Sequence, residues 1–181
     1  MAKQFDSLDD RHKEFIAAQH LFFVATADES GRVNLSPKGG DSLRVLSPTR
    51  LVWRNLTGSG NETAGHLARV NRMTVMWCSF GKRPLILRAY GQARTVHPRD
   101  HDWHDLNRQF PPHIGARQVY DLTVGIVQAS CGYQVPFMSF EGERDTLDKW
   151  TQDRGPDGIS GYWDERNRKT IDGLPTGILP E

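Results

Sequence analysis

Leu51-Val52-Trp53-Arg54-Asn55-Leu56 is an apolar run of strand character that ends in Thr57-Gly58-Ser59-Gly60-Asn61, and a helix-like stretch runs from Glu62 to Asn71. A strand, a glycine turn and a helix start in immediate succession leave few ways to fold this part of the chain. The first amides of such a helix lack internal acceptors and carry the positive end of its dipole. Gly58 and Gly60 let the backbone take positive φ and come close to an anion. Ser59, Asn61 and Thr63 are capping residues or extra donors. The same pattern also suits a capped helix after a tight turn with nothing bound. Its spacing fits neither a Walker A loop nor a dinucleotide-binding fingerprint.

The flanking segments set the fold class. Ser7-Leu8-Asp9-Asp10 reads as a capping-box start with Asp in place of Glu, opening a helix that ends near His20. Leu21 to Ala27 is a buried strand, Asp28-Glu29-Ser30-Gly31 a turn, and Arg32 to Ser36 the returning strand of a hairpin. Pro37 is expected to stop regular pairing, with Lys38-Gly39-Gly40 as a loop. Ser42 to Leu46 is a weak strand, turned by Ser47-Pro48-Thr49 into the run at Leu51. Met73 to Phe80, Leu85 to Val96 and Gln118 to Ala129 are further strands, the second interrupted at Gly91, where a bulge or sharp bend is expected. Pro98 to Gln109 reads as a short helix, Arg144 to Asp153 and Gly158 to Lys169 as two more, and Ile171 to Glu181 as a loose tail. Antiparallel hairpins outnumber βαβ units, so the architecture is mainly β with attached helices: a barrel.

With 181 residues, 37% hydrophobic and 25% charged, the chain is globular and most simply one domain. The barrel covers about 20–130 and a C-terminal helical extension about 140–170. A net charge of +1 gives no electrostatic reason to expect nucleic acid or an anionic membrane. No apolar run is long enough to span a bilayer, and Met1 to Asp6 has no signal-like region, so the expected location is the cytoplasm. Cys78 and Cys131 read as small buried hydrophobes.

His97, His101 and His104 lie at i, i+4 and i+7, a spacing two of which can hold zinc. Pro98 breaks the helix between them, and a solvated face is the expectation; no metal is assigned. His66 reads as structural, with contact to a ligand as the alternative. No G-x-S-x-G elbow or phosphoryl-transfer loop is present. Lys38 and Arg54 are basic residues beside the candidate anion turn. Tyr133, Phe137 and Phe140 are expected in the core or at a dimer contact, or else as the wall of a ring-binding pocket.

Arg32-Val33-Asn34-Leu35-Ser36-Pro37-Lys38, the stretch Leu51 to Leu67, and Leu85-Ile86-Leu87-Arg88-Ala89-Tyr90-Gly91 occur in an order that resembles the pyridoxamine 5′-phosphate oxidase-like, FMN-binding split-barrel proteins. The likeness covers roughly residues 10–130. It implies a homodimer of six-stranded antiparallel split barrels with FMN sites across the dimer interface. Lys38 matches the family lysine that contacts the flavin, and Arg54 and Asn55 sit where the family strand meets the phosphate. Asn61, Glu62 and Thr63 match the phosphate triplet at the helix start. The cofactor contacts the resemblance implies are therefore Ser36, Lys38, Trp53, Arg54, Asn55, Gly58, Ser59, Gly60, Asn61, Thr63 and Arg88.

Two departures stand out. Many family members place two basic residues where this chain has Glu62 and Thr63. True pyridoxamine-phosphate oxidases end in an Arg-Leu-His-Asp-Arg-like signature, and this chain ends Asp172-Gly173-Leu174-Pro175-Thr176-Gly177-Ile178. The resemblance implies an FMN-dependent oxidoreductase acting on a small organic substrate other than vitamin B6, with no catalytic acid or base assigned. The alternatives are a flavin-storing or flavin-sensing protein, and an apo split barrel serving as a scaffold.

Overall fold

The computed structural model describes residues 2–180. The strands are β1 (Lys3–Phe5), β2 (Leu21–Thr26), β3 (Asn34–Gly39), β4 (Leu43–Ser47), β5 (Arg50–Leu56), β6 (Arg72–Cys78), β7 (Ile86–Val96) and β8 (Ala116–Ser130). The helices are α1 (Asp10–Ala17), α2 (Glu62–Leu67), α3 (Trp103–Asn107) and α4 (Thr146–Arg166). The strands form one sheet in the order β3-β2-β6-β7-β8-β5-β4, antiparallel throughout, with β1 added to β8. Its two ends, β3 and β4, are consecutive in the chain and joined only by residues 40–42. So short a link brings the edges together and curls the sheet into a half-barrel. The sheet has eight strands rather than the six expected.

Trp53, Trp77, Tyr120, Leu87 and Leu122 fill the barrel, each almost wholly buried. A second cluster outside it packs Val52, Val96 and Val119 against Trp103, Leu106 and Phe110 around α3. Strand β5 is therefore covered on both faces, which accounts for the unbroken burial of Leu51 to Asn55. Gly91 sits at a bulge where the β7–β8 register shifts. A Cβ there would lie 1.9 Å from the Thr123 carbonyl oxygen, so only glycine fits.

Several expectations are corrected. The N-cap of α1 is Asp9, not Ser7: its carboxylate accepts from the His12 amide at 2.8 Å, and His12 Nδ1 accepts from the Asp9 amide at 3.2 Å. A histidine thus takes the reciprocal role usual for Glu. Strand β3 runs straight through Pro37, paired opposite Phe23; an edge strand tolerates the missing donor. Cys131 is exposed, although Cys78 is buried as expected. Tyr133 and Phe137, 78% and 79% exposed, lie outside the core of the chain. Helix α4 breaks at Gly155 (φ 64°, ψ 177°) before Pro156, which gives the two helical pieces expected.

The tail is not loose. Lys169 and Pro175 bridge, the Thr170 amide donates to the Leu174 carbonyl, and this small hairpin lies on α2. A Cβ on Gly65 would meet Thr170 Cγ2 at 2.3 Å, so that glycine permits the approach. No helix among the described residues is long and apolar enough to cross a membrane.

Candidate functional site

A cleft of about 240 Å³ opens where β3, β5, the 57–61 turn, the start of α2 and β8 meet. Strand alternation selects its lining. On β3, Asn34, Ser36 and Lys38 face the cleft, while Leu35, 64% exposed, faces away. On β5, Trp53 and Asn55 face the cleft, and Arg54 between them faces the α3 side. There its guanidinium lies over the Phe110 ring at 5.1 Å and donates to the Pro111 carbonyl. Arg88 is also absent from the cleft, since it stands on the opposite side of β7 from buried Leu87 and Ala89, 3.3 Å from Ser130 Oγ. The other nine residues expected at the site line this one cleft.

Arg117 was not anticipated. The β5–β8 register runs from Asn55↔Gln118 to Leu56↔Ala116, so Arg117 is the extra residue of a β-bulge, a device that re-aims a side chain. It is 2% exposed. Its guanidinium donates to the Gly60 carbonyl at 3.0 Å, the Gly58 carbonyl at 3.3 Å and Asn167 Oδ1 at 2.7 Å. With the Asn55 amide oriented as the hydrogen-bond network requires, Asn55 Oδ1 accepts from Arg117 at 2.7 Å. Every one of these partners is neutral, and Arg117 has no carboxylate partner among the described residues. Burial holds its pKa below the usual guanidinium value. A buried cation without a counter-charge is costly and is stabilised by an arriving anion.

Lys38 adds a second cation to the cleft. Burial, and then the Arg117 charge, lower the Lys38 ammonium to about 8. Its Nζ lies 5.3 Å from the Trp53 ring centroid. The carbonyls of Gly58, Ser59 and Gly60 turn towards Arg117 and Asn167. A trans peptide places the following N–H on the opposite side, so the amides of Ser59, Gly60 and Asn61 point away from that pair. Trp53 Nε1 and Asn61 Oδ1 are buried without a protein partner.

Glu62, the only carboxylate on the lining, is occupied: it accepts from the Ile171 amide at 3.0 and 3.2 Å. An acid at this position thus anchors the tail. Thr63 Oγ1 accepts from Asn34 Nδ2 at 3.3 Å, tying α2 to β3. His66 is buried with Nδ1 3.1 Å from Thr26 Oγ1 and does not line the cleft. His97 is buried beside Gly177 while the His101 side chain is fully exposed, so the spaced histidines do not converge. Sequence reasoning missed Arg117 and Asn167 because both reach the turn from more than 50 residues downstream. A basic residue at the start of a buried strand was the available signal for the first.

Residues 8–131 match the family described as pyridoxamine 5′-phosphate oxidase. The chain is 32% identical to the pyridoxamine 5′-phosphate oxidase family protein ustO of Aspergillus flavus, over 94% of this chain and 76% of that one. Among solved structures it is similar to an inferred pyridoxamine 5′-phosphate oxidase of Lactobacillus delbrueckii, with a TM-score of 0.54 and 20% identity over 68% of this chain and 94% of the other. A variant of HupZ from Group A Streptococcus gives a TM-score of 0.54 at 18% identity, over 67% of this chain and 98% of the other. At such identities the two structures bear on fold alone.

Proposed function

The chain belongs to the pyridoxamine 5′-phosphate oxidase family, and from that premise we propose that it is an FMN-dependent oxidoreductase whose cleft holds the flavin phosphate against Arg117. The observation that carries this reading is the buried guanidinium with only neutral partners. The phosphate dianion would take hydrogen bonds from Arg117 and the freed amides of the 58–61 turn, with Ser59 and Thr63 as further donors. Lys38 and Trp53 would meet the ring end of the ligand. A bound FMN would supply two-electron redox chemistry, which the side chains here do not. Lys38, held as a cation, would stabilise negative charge on the ring's carbonyl edge. The departure at Glu62 and Thr63 fits this scheme, because the cation comes from β8 instead of from α2.

The substrate in this reading is a small organic molecule other than vitamin B6, since Asp172 to Ile178 carry none of the Arg-Leu-His-Asp-Arg-like residues that would hold a second phosphate, and this stretch is instead packed back on the chain. Asp172 pairs with Arg32, and the Gly177 and Ile178 carbonyls accept from Arg99. The cleft is smaller than the roughly 300–1,000 Å³ of sites that enclose a whole ligand, so a second copy of the chain completes it in the proposed homodimer.

One observation favours a non-catalytic, flavin-storing alternative. The lining has no histidine, its carboxylate is occupied, and burial pushes the Tyr120 hydroxyl upward, leaving Lys38 as its only group titrating near neutrality. The test is a visible spectrum of the purified protein followed by anaerobic mixing with NADH or NADPH. Bound flavin that bleaches supports the oxidoreductase. Bound flavin that no donor reduces favours storage, and a colourless protein that ignores added FMN overturns both.

A further inference from the structure

We propose that Asn167, the residue that ends α4, is a positioning residue of the phosphate site, making the C-terminal helix a working part of that site. This rests on reading the cleft as the seat of a phosphate-bearing ligand. Asn167 lies outside the matched family region, residues 8–131. It is 0% exposed, although it ends a largely polar, exposed helix.

Its hydrogen bonds converge on the candidate site. Oδ1 accepts from Arg117 Nη1 at 2.7 Å, while Nδ2 donates to the Gly58 carbonyl at 3.0 Å and the Ser59 carbonyl at 3.5 Å. Its own carbonyl accepts from Asn61 Nδ2 at 3.2 Å and from the Thr176 hydroxyl. Its amide donates to the Trp163 carbonyl at 3.0 Å, and Trp163 Nε1 in turn donates to Thr57 Oγ1 at 2.8 Å. One side chain thus fixes the buried cation and turns two successive peptide units, so that their N–H groups point the other way.

The residue type is specific to this task. A primary amide accepts from a guanidinium and donates to carbonyls at once. Aspartate would accept from Arg117 but repel the Gly58 and Ser59 carbonyls and neutralise the charge that an anion needs. Leucine would fill the space and do neither. Within this arrangement α4 acts as a brace: its end holds the turn from behind, and the ligand meets the turn from the cleft.

The test compares FMN with riboflavin, which differ only in the phosphate, by fluorescence titration of the full chain. The wild type is expected to prefer FMN. Asn167→Ala should lose on the order of tenfold of that preference while riboflavin affinity stays unchanged. Asn167→Asp, which keeps the side-chain volume, should lose at least as much. A general loosening of the fold would weaken both ligands equally and would overturn the proposal, as would full retention of the preference in both variants. A wild type that binds both ligands equally would instead remove the phosphate reading itself. Amide hydrogen exchange of the unaltered protein gives an independent reading. FMN, but not riboflavin, should slow exchange at both 58–61 and 163–168; protection confined to the turn would contradict the brace.

Discussion

Arg54 and Arg117 show how one basic side chain becomes a site and another does not. Both are buried, but Arg54 is shared between the Pro111 carbonyl and the Phe110 ring on the outer face of β5. Arg117 is swung into the cleft by a bulge. The first difference was available in the way Trp53, Arg54 and Asn55 alternate faces on any strand, yet all three fall among the expected cofactor contacts. The second was not, because a bulge is set by pairing between strands distant in sequence. Lys38 belongs to the same scale and titrates near neutrality. Its pKa is lowered to about 8 by burial and by Arg117, and an anion in the cleft favours its charged form. Binding above that pH therefore takes up a proton. FMN affinity should be highest near pH 7 and fall by up to tenfold per unit above about pH 8, with a separate fall below about pH 6 as the phosphate itself takes up a proton. Titrations across that range check this, and Lys38→Met should abolish the alkaline fall.

The elements were legible wherever local pattern and tertiary demand agreed. Strands β2, β5, β6, β7 and β8 each announce themselves as apolar runs between turn residues, and the Gly155-Pro156 break in α4 follows from backbone chemistry. Strand β1 did not, because Lys3-Gln4-Phe5 has no pattern of its own and is ordered by pairing with residues 127–129 of β8. The tail was misread for the same reason: its order comes from Glu62, Arg32 and Gly65, all more than 100 residues upstream. The bulge at Gly91 gives a prediction at this scale. Gly91→Ala forces a Cβ into the Thr123 carbonyl and should cost about 3 kcal/mol or more, lowering Tm by roughly 6–12 °C. Gly161→Ala, where nothing lies within 4 Å of the added carbon, should leave Tm unchanged or slightly raised. Equal effects at the two positions in calorimetry would contradict the bulge.

At the scale of the whole molecule, one chain offers a cleft with its cationic end built and its other end open. Val33, 72% exposed and just before β3, and Leu35, 64% exposed on β3, lie near it, and Ile126, Tyr133 and Phe137 are exposed elsewhere. We infer that Val33 and Leu35, exposed close together near the cleft, contribute to an interaction surface. It fits the proposed homodimer, in which Arg88 would reach a flavin only from the partner subunit. Sedimentation should give about twice the 20.5 kDa chain mass, and Leu35→Glu should yield a monomer with weakened FMN binding. A wild-type monomer that binds FMN fully would count against this.

If the buried, uncompensated Arg117 meets a phosphate, FMN titration of the wild type beside Arg117→Met will read its contribution. Losing a charge-assisted contact of about 1.5–3 kcal/mol should weaken FMN binding at least tenfold in a variant that still folds. Unchanged FMN affinity in folded Arg117→Met would contradict the account.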